Sequence, residues 1–190
     1  MLVLIAGIVI FLGAHSFTTL RPARAAVIGG IGELPYRGLH SLVSLLGFGL
    51  IIWGFSLYRE AMIPVWTPPV WTRHLALVLM WFAFVALACA NPAPGRIRGW
   101  LRHPMLAGVM FWAFAHLLAN GDAGGMLLFG AFLAWAIYDR IAVARRGDAG
   151  APRLASFTRA DAAALGGGSI AYGAMLLLHP VLIGVPVIGF

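Results

Sequence analysis

Six stretches of apolar residues, each close to the length needed to cross a bilayer, fill most of this 190-residue chain. They run over roughly 2–20, 38–58, 74–91, 104–120, 124–143 and 169–188. A helix needs about 20 apolar residues to traverse the hydrocarbon core, since each residue rises about 1.5 Å. Backbone buried in lipid must satisfy its own hydrogen bonds, and runs of this length do so as helices. The expected fold is therefore an all-α polytopic transmembrane bundle of about six helices, with residues 1–190 forming one membrane domain. The fourth stretch is short, so it must be extended or tilted; five spans result if the 104–143 hairpin does not cross fully. Asn120-Gly121-Asp122-Ala123-Gly124-Gly125 separates the two arms of that hairpin, with Asp122 placed to cap the second.

Composition narrows the function. The chain is 62% hydrophobic and 10% charged, and its mean hydropathy of +0.93 excludes an ordinary soluble globule. Its 13 basic residues are all arginines, against 6 acids, for a net charge of +7. Nucleic-acid binding needs a solvated basic face, whereas these arginines occupy short gaps between apolar runs. With six spans, Arg21, Arg24, Arg37, Arg96, Arg98, Arg102, Arg140, Arg145, Arg146, Arg153 and Arg159 share one side, leaving Arg59 and Arg73 opposite. By the positive-inside rule the rich side is cytoplasmic. Both termini are then expected in the periplasm, across a bacterial inner membrane. No basic region precedes the apolar residues 2–14, and Arg21 and Arg24 follow them, so this segment reads as a retained first span. The Pro- and Trp-rich segment AMIPVWTPPVWTRH reads as surface-lying. Cys89 stands alone, without a disulfide partner, CxxC pair or c-type haem motif, and reads as a small buried hydrophobe. The sequence lacks GxSxG, HExxH and phosphate-loop patterns, and its acids lie mostly in loops. Thr158-Arg159-Ala160-Asp161 resembles a capping box with Asp in place of Glu.

Six histidines carry what chemistry remains. Ionisable groups inside a membrane are costly and mark functional sites by default, and imidazole is a common ligand for metals and haem. His15 lies in the inner half of the first span, and His179 lies near the middle of the last. His40 opens a helix face of His40, Ser44, Gly47, Ile51 and Gly54 that would let a flat cofactor or another helix approach closely. His103, in Arg102-His103-Pro104, has Arg96 and Arg98 nearby and is a candidate anion clamp; Pro104 suits a first helical turn. His116 shares its face with Gly108 and Trp112, nearly opposite His103. His74, at the outer boundary, reads as structural.

The segments GAHSF with Leu20-Arg21-Pro22, YRGLHSLVSLLGF, LRHPMLAGVMFWAFAHLLANGD and LHPVLIGV together resemble the NnrU family of bacterial membrane proteins across nearly the whole chain. That family is associated with nitrite and nitric oxide reduction. The same domain resembles the haem-b-dependent 15-cis-zeta-carotene isomerase, and this likeness implies His15 and His116 as axial ligands. The RHP triplet is shared with isoprenylcysteine methyltransferase-type enzymes. Depth counting places His15 about 8 Å, His179 about 15 Å and His116 about 18 Å from the inner boundary, so His179 is a geometric rival for the partner of His116.

The leading expectation is a haem-b-binding inner-membrane protein with a redox or electron-transfer role supporting denitrification. Its cofactor residues would be His15, His40, His103, His116 and His179, with His15 and His116 on the metal. Arg37 and Arg102 adjoin histidine-bearing segments and are placed to meet the propionates. Expected partners are the lipid bilayer, haem, denitrification enzymes and a quinone. The alternatives are a membrane enzyme, carotenoid isomerase-like or methyltransferase-like, and a non-catalytic assembly factor for a nitric oxide or nitrite reductase.

Overall fold

The computed structural model of the chain describes residues 1–90 and 93–187. Among these residues the regular structure is helical: α1 (Leu2–Phe17), α2 (Arg21–Ile31), α3 (Glu33–Arg59), α4 (Val70–Ala88), α5 (Arg96–Leu101), α6 (Pro104–Ala119), α7 (Ala123–Arg145) and α8 (Arg159–Leu182). The predicted span ends at Asn91 and Ile188 lie outside the described residues.

Helices α3, α4, α7 and α8 are long and apolar enough to cross a membrane, and the bent pair α1–α2 makes a fifth if it counts as one span. Helix α6 has 16 residues, a length of about 24 Å against a hydrocarbon core of about 30 Å. The expected six spans thus become four full-length helices and two 16-residue ones, α1 and α6. The first shortening has a local cause. The Thr18 hydroxyl donates to the His15 carbonyl at 2.6 Å and Thr19 to that of Ser16 at 2.7 Å, closing α1. Pro22 then sits in the first turn of α2, and the chain turns by 87°. This segment falls in the gap between the expected spans 2–20 and 38–58, and it is helical although it contains Pro22, Gly29 and Gly30, which are poor helix formers. The helix has no buried residue and ends at Gly32, whose φ of +86° suits glycine.

The helix pairs form an arc in the order α3, α1, α7, α6, α4, α8. Small residues set the α1–α3 spacing. A Cβ on Gly47 would meet the Phe11 backbone at 2.7 Å, one on Gly7 would meet Ile51 nitrogen at 2.6 Å, and Gly54 lies directly on Leu4. The predicted face His40–Ser44–Gly47–Ile51–Gly54 is therefore the face that meets α1. Leu4, Ile8, Ile51, Ala113, Leu128 and Phe129 form the buried core of α1, α3, α6 and α7.

Both expected caps are present. Asp122 accepts from Gly125 nitrogen at 2.7 Å at the start of α7, and Thr158 with Asp161 forms a capping box. That box opens α8 itself, ten residues before the predicted start of the last span. Asp161 is 1% exposed and also accepts from the backbone nitrogens of Arg96 at 2.9 Å and Ile97 at 2.7 Å, joining α8 to α5. At the opposite end the loop after α3 lies against the α6–α7 hairpin, with Val65 and Trp66 nitrogens donating to Gly121 carbonyl at 2.7 and 3.0 Å. There the Arg59 guanidinium donates to the Ile183 carbonyl, linking the ends of α3 and α8.

A histidine pair and an arginine-lined cleft

The α1–α3 packing carries His15 to His40. Their ring centroids are 5.3 Å apart, with an interplanar angle of 63°. His15 also stacks on Phe11, one turn earlier, at 4.3 Å and meets the edge of Trp135 from α7 at 5.7 Å. Its Nδ1 donates to the Phe11 carbonyl at 2.7 Å. A carbonyl cannot donate, so in the neutral ring this bond puts the proton on Nδ1 and leaves the Nε2 lone pair free. Such a bond from the other nitrogen is the usual way a protein orients an imidazole ligand. The Nε2 of His40 is buried without a hydrogen-bond partner among the described residues, while the Ala14 carbonyl lies alongside the same ring. Ser44 Oγ, one turn along α3, is likewise buried and unpartnered.

His116 repeats the pattern on α6. Its Nδ1 donates to the Trp112 carbonyl at 2.8 Å, and its ring stacks on Phe129 at 4.4 Å. The structure does not bring it beside His15. Phe11 and Trp112 both pack on Phe132, at 5.6 and 5.4 Å, and each histidine lies one turn beyond its own aromatic, in opposite directions along the bundle. Two turns of helix separate them by about 11 Å along the axis, with three aromatic rings between. His179 donates through Nδ1 to the Val185 carbonyl at 2.7 Å and stands close enough to act electrostatically on His116.

The RHP segment lies elsewhere. His103 N-caps α6, and its Nε2 is buried beside Gly150, where a Cβ would come within 2.8 Å. Arg102 has φ +62° and ψ −54°, and His103 nitrogen donates across it to Leu101 carbonyl at 2.7 Å. This is a γ-turn of the strained kind. The Arg102 side chain holds the Ala149 carbonyl at 3.0 Å. The anion clamp is not assembled here: the Arg96 guanidinium lies over the Trp100 ring at 4.7 Å, and Arg102 grips the loop before α8. His74 is exposed.

Arg37, in contrast, lines a cleft of about 560 Å³ at the arginine-rich end. Its other walls are Arg21 and Arg24 from α2, Tyr36, His40 and Ser41 from the head of α3, Thr18, and Arg146 after α7. Arg37 pairs with Glu33 at 2.7 Å, an exposed i,i+4 bridge. Sequence reading missed Arg21, Arg24, Tyr36 and Arg146 as site residues. Recognising α2 as a helix would have placed Arg21 and Arg24 about one turn apart, beside the start of α3.

Several long apolar helices, arginines gathered at one end and imidazoles held between the helices define a multi-helix membrane protein. The chain belongs to the NnrU family, whose family model, described as NnrU protein, matches residues 3–187. No match was found among curated proteins or among solved structures.

Proposed function

We propose that this protein binds haem b within the membrane and takes part in electron transfer that supports nitrite and nitric oxide reduction. The observation that carries the reading is the His15–His40 pair. One imidazole is oriented by a backbone carbonyl through Nδ1, which in the neutral ring leaves the lone pair on Nε2. The other has a buried Nε2 without a partner among the described residues, with 5.3 Å between the ring centroids. An unpaired polar atom inside a membrane bundle is costly, and an imidazole nitrogen with its lone pair available is a ligand that haem iron would accept. The resemblance implies His15 with His116, but His40 is the imidazole beside His15, so His15 and His40 are the residues that would hold the iron.

Bound haem supplies one-electron redox chemistry. The chain's own residues orient and shield it. Phe11 carbonyl fixes the His15 ring, Phe11 and Trp135 cover its faces, and Gly47 lets α3 approach closely enough for His40 to reach. The respiratory setting rests on the family's association with denitrification.

Optical spectra and a pyridine haemochrome assay on detergent-purified protein, expressed with ample haem, test the reading. We expect a b-type spectrum that is lost in His15→Ala, lost or converted in His40→Ala, and retained in His74→Ala. A colourless protein that takes up no haem on reconstitution would overturn it, and an unchanged spectrum in His40→Ala would return His116 or His179 as second ligand.

A further inference from the structure

The cleft at the arginine-rich end is built for an anion, and its walls say which kind. It carries four guanidinium groups, from Arg21, Arg24, Arg37 and Arg146, of which Arg37 is paired with the Glu33 carboxylate. Like charges gathered at one opening repel, and a multivalent oxyanion relieves that repulsion. Guanidinium is suited to this because its planar fork pairs two donors with two oxygens.

A second observation points to a ligand. Tyr36 is only 6% exposed, and its hydroxyl, which belongs to a residue lining the cleft, has no hydrogen-bond partner among the described residues. Buried hydroxyls are rarely left so. The Nε of Arg24 is also buried and unpartnered, with its guanidinium 5.4 Å from the centroid of the Tyr36 ring. Ser41 and Thr18 add hydroxyls at the rim. Apart from the Tyr36 and His40 rings the lining side chains are polar or charged, and His40 makes the cleft adjoin the proposed haem site. Binding of the anion is measured directly, without the haem spectrum, so that failure of one reading is distinguishable from failure of the other. The volume, about 560 Å³, exceeds that of a bare phosphate ion and falls in the usual range for small-molecule sites.

We propose that this cleft binds a phosphate monoester, with Arg24 and Arg146 clasping its oxygens and the Tyr36 hydroxyl donating to one of them. Helix α2 turns by 87° from α1 and buries none of its residues, as a helix lying along the membrane surface at headgroup level would. The ester can therefore arrive as a lipid headgroup or as a soluble phosphorylated molecule.

The test uses the full chain in phosphatidylcholine nanodiscs. One arm adds a tenth of phosphatidic acid and reads lipid retained on the protein by native mass spectrometry. The other titrates glycerol 3-phosphate into pure phosphatidylcholine discs by calorimetry. We expect binding in at least one arm, reduced about tenfold in Tyr36→Phe, the worth of one hydrogen bond to a charged acceptor. The double variant Arg24→Gln/Arg146→Gln should lose it by a larger factor. The double variant Arg153→Gln/Arg159→Gln removes the same charge from exposed positions outside the cleft and should retain it. Retention of phosphatidic acid alone assigns a lipid head, and binding of glycerol 3-phosphate assigns a phosphate ester free of its tail. Binding in neither arm, or equal loss in the two arginine double variants, would overturn the proposal, the second by showing that net charge alone draws the anion. Helicity measured for each variant separates loss of site from loss of fold, and Tyr36→Phe, which removes one oxygen, decides the case if the arginine variants unfold.

Discussion

Replacing Asp161 by Ala tests how the arginine-rich end is held together. The carboxylate accepts four hydrogen bonds: from Arg96 nitrogen at 2.9 Å, Ile97 nitrogen at 2.7 Å, Thr158 nitrogen at 2.8 Å and the Thr158 hydroxyl at 3.0 Å. The Arg96 and Ile97 donors are amides of the first turn of α5, and no intrahelical partner exists for them. A hydrogen bond to a charged group contributes about 1.5–3 kcal/mol, and loss of a single N-cap costs about 1 kcal/mol. The four bonds act as one unit and do not add, and water reaches part of the opened site. The expected cost is about 3–5 kcal/mol, comparable to breaking a buried ion pair. Asp161→Asn keeps one acceptor oxygen and should cost about half of that. The assay is unfolding of the purified protein in mixed micelles with rising dodecyl sulfate, followed by circular dichroism, beside limited proteolysis of the 147–158 segment. A loss below about 1 kcal/mol in Asp161→Ala, with unchanged proteolysis, would refute the idea that this carboxylate organises α5 and α8.

Two further perturbations follow from close backbone contacts. Gly54→Val should wedge α1 from α3, since even a Cβ overlaps the Leu4 backbone; a cost of about 2–3 kcal/mol is expected from overpacking, with weakened haem uptake because His15 and His40 separate. Chemical unfolding and the haem spectrum check it, and unchanged stability would show that the helix spacing is soft. Arg102→Gly should be more stable than Arg102→Ala by roughly 1 kcal/mol, because glycine tolerates the positive φ of the turn; a thermal melt that ranks Ala above Gly would contradict the strained turn.

Much of this architecture could be read from residue order. Long apolar runs and the Asp122 and Thr158–Asp161 caps are local signals: the caps appear where expected, and each run contains a helix, though α1 and α6 are short and α8 begins ten residues early. The small-residue face on α3 was visible too, but its partner was not. Setting Leu4, Gly7, Phe11 and His15 antiparallel to Gly54, Ile51, Gly47 and His40 brings the two histidines together, and that register rests on backbone contacts between two helices. Depth counting along single helices contains no such information. It ranks histidines by height and says nothing of rings between them, which is why Phe132 came as news. Helix α2 was hidden by its glycines and proline, and the cleft went with it. The second job of Asp161, on α5, was hidden for another reason, since 65 residues separate the carboxylate from Arg96.

The two fastenings of α8 have a consequence for biosynthesis. One joins Asp161 to Arg96 and Ile97, and the other joins Ile183 to Arg59 across 124 residues of chain. Between them α8 packs mainly on α4. A ribosome delivers the chain from its N-terminus, so neither fastening can close until the last helix has been inserted. Until then α5 has bare first-turn amides, and the α4 surface around Val85, which later receives Gly168, is open to lipid. The final helix thus acts as a bolt shot after the rest is in place. A truncated or stalled chain would display an unclosed flank, the kind of defect that membrane quality-control proteases can distinguish from the finished protein.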